Sequence, residues 1–81
     1  MTSIKVITDR KFVSFLEKNQ IAGVDLCDAT KLSDDEEIVH EVAGVNLLFI
    51  VTNEIIADEI SRIADSSKVD LILVIVREKF E

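Results

Sequence analysis

Two short polar steps carry the residues best suited to chemistry: Thr8-Asp9-Arg10, after the run Ile4-Lys5-Val6-Ile7, and Thr52-Asn53-Glu54, after a run that ends at Val51. Asp9 and Glu54 are the carboxylates such a pair of steps would offer for general acid/base work, which needs convergent groups of tuned pKa. Both also suit helix capping, which requires nothing beyond a carboxylate beside unbonded amides. A phosphate cradle needs glycines so that backbone amides can approach the ligand; neither step contains one and no GxxxxGK[ST] occurs. A Mg²⁺-dependent phospho-acceptor site needs a carboxylate ending the third strand, where Val51-Thr52-Asn53 stands instead.

The remaining reactive side chains are isolated. His40 is the only histidine, and Glu36 at i−4 supplies half of a metal-ligand pattern without a second His or Cys at ligand spacing. Cys27 stands in an apolar segment with no nearby base to make it a thiolate, so it reads as a small core residue. No catalytic, metal-ligating or cofactor-binding set is expected.

The elements that must position these groups follow from periodicity. Ile4–Ile7 reads as a strand, and Phe12, Phe15 and Leu16 at i, i+3, i+4 start a helix with Asp9 as its N-cap. That helix is expected to fade by Ile21-Ala22, with Gly23 in the left-handed position after it, before a strand at Val24–Cys27. Ser33-Asp34-Asp35-Glu36 matches a capping box opening a second helix through Ile38, Val39 and Val42, which Gly44 ends. Val45–Val51 and Leu71–Val76 are apolar enough for strands buried on both faces. Between them Ile56, Ile60, Ile63 and Ala64 form one helical stripe, with Asp58, Glu59 and Arg62 opposite and Asn53 or Thr52 as cap.

The alternation β-α-β-α-β-α-β predicts one α/β domain over residues 1–81: a small doubly wound, mainly parallel four-stranded sheet in the order 2-1-3-4, with helices on both faces, flavodoxin- or Rossmann-like. Its switch point lies between strands 1 and 3, which would bring Thr8, Asp9 and Arg10 near Thr52, Asn53 and Glu54. The fourth strand, the most apolar, then lies at an edge, and something should cover it.

Composition narrows the partners. A net charge of −7, with no basic cluster interleaved with aromatics, disfavours nucleic acid. One cysteine and no basic-then-apolar leader make a reducing cytoplasmic setting the expectation, and no apolar run approaches the roughly 20 residues of a membrane span.

Three stretches resemble the N-terminal domain of the F subunit of the A-type and V-type rotary ATPases. Asn46 to Asp65, NLLFIVTNEIIADEISRIAD, is similar to the family's apolar third strand, polar turn and "IAxxIRxxID" helix; Ile4 to Asp9 and Ile21-Ala22-Gly23-Val24 are similar to its first strand and its "LAGV" step. The chain departs from the family in having Val13-Ser14-Phe15-Leu16 where a Gly-Phe pair is usual. It also has about three extra residues between Asp9 and Gly23, and it lacks the C-terminal tail. The resemblance implies a non-catalytic rotor component of the central stalk, at the cytoplasmic side of a membrane complex. There it binds the coiled-coil hairpin of the stalk's D subunit and couples ATP turnover to proton or sodium movement. Thr52, Asn53, Glu54 and Arg77, with the edge of strand 4, are the expected neighbourhood of that contact. The alternative is a small ligand-binding or catalytic domain using Asp9 and Glu54.

Overall fold

A computed structural model of the 81-residue chain describes residues 2–19 and 22–77. The order is β1 (Ile4–Thr8), α1 (Arg10–Lys18), β2 (Val24–Asp28), α2 (Asp35–Val42), β3 (Leu47–Thr52), α3 (Glu54–Asp65) and β4 (Leu71–Val76), with a 3₁₀ turn at Ala29–Lys31. The four strands form one parallel sheet in the order β2-β1-β3-β4, as the alternating pattern requires.

Right-handed crossovers put α1 on one face of this sheet and α2 with α3 on the other. The second face holds the core. Ile7, Leu48 and Ile50 from the sheet pack with Ile38 and Val42 of α2 and with Ala57, Ile60, Ile63 and Ala64 of α3, and Cys27 and Ile72 flank the cluster. The α3 stripe is therefore the one its 3.6-residue period prescribes, with Asp58 and Glu59 exposed on the opposite side. The first face is thinly covered, because α1 lies along β2 and contributes no fully buried residue. On this face Phe49 of β3 is half-buried, Val51 is buried, and the odd-numbered side chains of β4 are exposed.

β3 is buried through most of its length, as its composition suggests, although it begins at Leu47 rather than Val45. β4 is not. Leu71, Leu73, Val74, Ile75 and Val76 are each between 37% and 57% exposed, because among the described residues the strand has a neighbour on one side only and a helix on one face only.

Three local readings are corrected. Asp9 occupies the N-cap position of α1 but makes no side-chain cap bond; its carboxylate accepts from the Thr52 hydroxyl instead. α1 stops at Lys18 with Asn19 as its C-cap, several residues before Gly23, whose φ of 83° serves the turn into β2. The capping box shifts by one residue: Asp34 is the cap and accepts from the Glu37 amide, while the Ser33 hydroxyl donates to the Glu37 carboxylate. At α3 the cap is Asn53, which accepts from the Ile56 amide at 3.0 Å.

Gly44 follows the last residues of α2 with φ 76°, and a Cβ there would meet nothing within 4 Å. Its glycine is required by backbone conformation rather than by space. Gly44→Ala should thus lower stability by about 1 kcal/mol, the cost of the left-handed region for an L-residue, as read from the urea midpoint at unchanged slope.

Candidate functional site

The carboxyl ends of β1 and β3 meet at the switch point, where a doubly wound sheet ordinarily opens a crevice. Here the ends of the two strands are joined by the chain's own hydrogen bonds. The Thr8 hydroxyl donates to the Val51 carbonyl at 2.6 Å, the Thr52 hydroxyl donates to Asp9 Oδ1 at 2.7 Å, and both threonines are fully buried. The topology thus brings Asp9 and Thr52 together as expected. Glu54 lies in the exposed first turn of α3, where its charge suits the helix dipole. Arg77 also arrives at this end of the sheet, its amide donating to the Thr52 carbonyl at 2.9 Å.

The other reactive groups are placed apart from the switch point. His40 is exposed in the last turn of α2, and among the described residues no group of three or more His, Cys, Asp or Glu is placed to hold a metal ion. Cys27 is half-buried, and burial, reinforced by the nearby Glu41 charge, pushes its thiol up to about 11. At neutral pH the sulfur therefore stays protonated, the opposite of what a nucleophile needs.

One polar contact has no counterpart in the sequence motifs. Lys5 lies on the inward side of β1 and donates to both the Glu41 carbonyl at 2.8 Å and Glu41 Oε1 at 2.9 Å, tying the sheet to the end of α2. Its signal is the alternation of β1: Lys5 shares a face with Ile7, so its amine has to find an acid on the covering helix. A second contact, the Asp28 carboxylate accepting from the amide and hydroxyl of Thr30, builds the 3₁₀ turn.

A cleft of about 600 Å³ lies near the amino ends of β1 and β2, lined by Val6, Leu16, Val24 and Leu26 with Gly23 and Asp25. Ala22 and Glu17 complete its lining, so its apolar residues are joined by two carboxylates, Glu17 and Asp25. A second feature is the side of β3 and β4 away from α2 and α3, where Leu71, Leu73 and Ile75 are exposed beside half-buried Phe49. Phe15 of α1, also on this side of the sheet, is 57% exposed. No helix is long and apolar enough to cross a membrane among the described residues.

No protein-family model matches the chain, and no curated protein or solved structure matches it either.

Glu41 supplies a test of the sheet-to-helix tie. Its hydrogen bond to Lys5 holds the carboxyl below the usual glutamate range, so its contribution to stability is present above the unfolded-state value and is lost as pH falls through the lower folded-state value. Glu41→Gln should therefore cost about 0.5–1 kcal/mol at pH 7. The difference from the parent chain should shrink as pH drops below about 4.5, measured by urea unfolding across pH.

Proposed function

We propose that the chain is a non-catalytic binding and coupling domain of the central stalk of a rotary ATPase, at the cytoplasmic side of its membrane. Its bare β3–β4 face receives a helical hairpin, that of the stalk's D subunit. The observation that carries this reading is the continuous apolar surface made by Phe49, Leu71, Leu73 and Ile75 on a sheet whose opposite face is packed by two helices.

Geometry favours a helix as the occupant. Two neighbouring strands about 4.8 Å apart make an apolar strip about 10 Å wide, the diameter of a helix with its side chains. Six residues of β4 span about 20 Å, enough for about thirteen helical residues. In a doubly wound sheet this is the position a covering helix would occupy. What supports the non-catalytic half of the proposal is that Asp9 already accepts from the Thr52 hydroxyl and Glu54 stands apart at an exposed helix start. Asn53, Glu54 and Arg77 lie at the carboxyl end of the same two strands and would form the polar rim of the contact, whereas Thr52, expected from the sequence to share it, is fully buried and bonded to Asp9.

The chain should bind the stalk hairpin, and not an unrelated coiled-coil hairpin, in calorimetry or co-purification. Leu73→Asp and Phe49→Ser should each weaken binding by about ten- to a hundredfold, the loss expected for central apolar anchors, while Asp9→Ala leaves it unchanged. No binding by a chain shown to be folded would overturn the proposal. So would a rise in Tm with nucleotide, divalent ion or phosphorylated metabolite that Asp9→Ala abolishes, which would favour a ligand site on Asp9 and Glu54 instead.

A further inference from the structure

The outer edge of β4 is a second surface with unmet bonding capacity, and it lies in the backbone. The Leu71 amide donates inward to the Asn46 carbonyl and the Arg77 amide to the Thr52 carbonyl, so the odd-numbered residues of β4 face β3 with their peptide groups. Backbone direction alternates along a strand, so the N–H and C=O of Ile72, Val74 and Val76 point away from the sheet. Among the described residues β4 has no strand on that side.

Natural edges are protected by lysine, proline, a bulge or a very short strand. β4 has none of these protections. Its six residues are Leu-Ile-Leu-Val-Ile-Val, and its pairing with β3 runs one-to-one without a bulge. A row of unprotected peptide groups between apolar side chains is a template for another strand.

We propose that the other strand is β4 of a second copy, paired antiparallel about a two-fold axis through Val74. A two-fold axis perpendicular to the sheet keeps each face on its own side, so residues opposite one another must be both odd or both even. Centring the pair on Val74 matches Val74 with Val74 and Ile72 with Val76, which engages every outward peptide group within the strand. Side chains agree with this register. Leu73 falls opposite Ile75 on the bare face and Ile72 opposite Val76 on the α3 face, so the exposed aliphatics gain cross-strand apolar partners. A strand edge about 20 Å long and 10–20 Å deep buries roughly 400–800 Å² in total across two copies, below the usual 1,200–2,000 Å² of a stable complex. The dimer is therefore reversible and depends on concentration. Each copy carries a charge of −7 and the paired strands carry none, so salt should tighten the association by screening repulsion.

This inference is independent of helix docking, which uses the bare face rather than the edge. Sedimentation equilibrium of the full chain should show the mass rising with concentration from 9.1 kDa towards twice that value, more readily at high salt. Amide hydrogen exchange of the parent chain should show Ile72, Val74 and Val76 becoming protected as concentration rises, while Leu73 and Ile75 are protected throughout. Val74→Lys should hold the chain monomeric, and Phe49→Ser should leave the dimer intact. A mass of 9.1 kDa at all concentrations up to millimolar, or exchange at Ile72, Val74 and Val76 that ignores concentration, would overturn the proposal. So would a dimer in which protection appears only on the bare face or elsewhere.

Discussion

The handedness of the crossovers is the constraint on which the rest of this molecule depends. Three parallel connections, with β2 placed on one side of β1 and β3 and β4 on the other, send one helix to one face and two to the other. On the two-helix face α2 and α3 close over Ile7, Leu48 and Ile50, and most of the buried apolar side chains lie in this layer. On the other face α1 packs chiefly along β2 and contributes no buried residue, while Leu71, Leu73 and Ile75 of β4 are exposed. Apolar exposure at β4 is thus not an accident of composition. It follows from connectivity.

The same connectivity brings the polar groups to the switch point and bonds them there. Thr8 and Thr52 are buried where β1 and β3 end, and a buried hydroxyl without a partner is costly, so each donates to a nearby acceptor: the Val51 carbonyl for Thr8 and the Asp9 carboxylate for Thr52. Asp9 thereby becomes a structural acceptor. A place where sheets of this kind bind ligands is here a hydrogen-bonded seam, while the surfaces with unmet binding capacity are the open face and the outer edge.

Much of this is legible in the residues. The strand order, the all-parallel pairing and the bounds of β4 follow from alternating β and α periodicities, and the α3 stripe of Ile60, Ile63 and Ala64 follows from its spacing. Cap chemistry is less legible, because Asp, Ser and Asn serve several local roles of similar energy: Asp34 displaces Ser33, and Asp9 turns from its own helix towards Thr52. The exposure of β4 is the largest departure. An apolar run reports that a strand is suited to burial, not that anything in the same chain arrives to bury it. The Lys5–Glu41 tie spans 36 positions and depends on how α2 is laid across the sheet, which no local pattern encodes.

The central claim is that binding belongs to the open face of β3 and β4 and not to the switch point. An amide NMR titration with the proposed partner, a rotary-ATPase stalk hairpin, tests it most directly, since one experiment reports both places. Shifts should concentrate at Leu47, Phe49, Leu71, Leu73 and Ile75, with Thr8, Asp9 and Arg10 unmoved. Shifts concentrated at Thr8, Asp9 and Arg10, with the β4 amides unchanged, would contradict it.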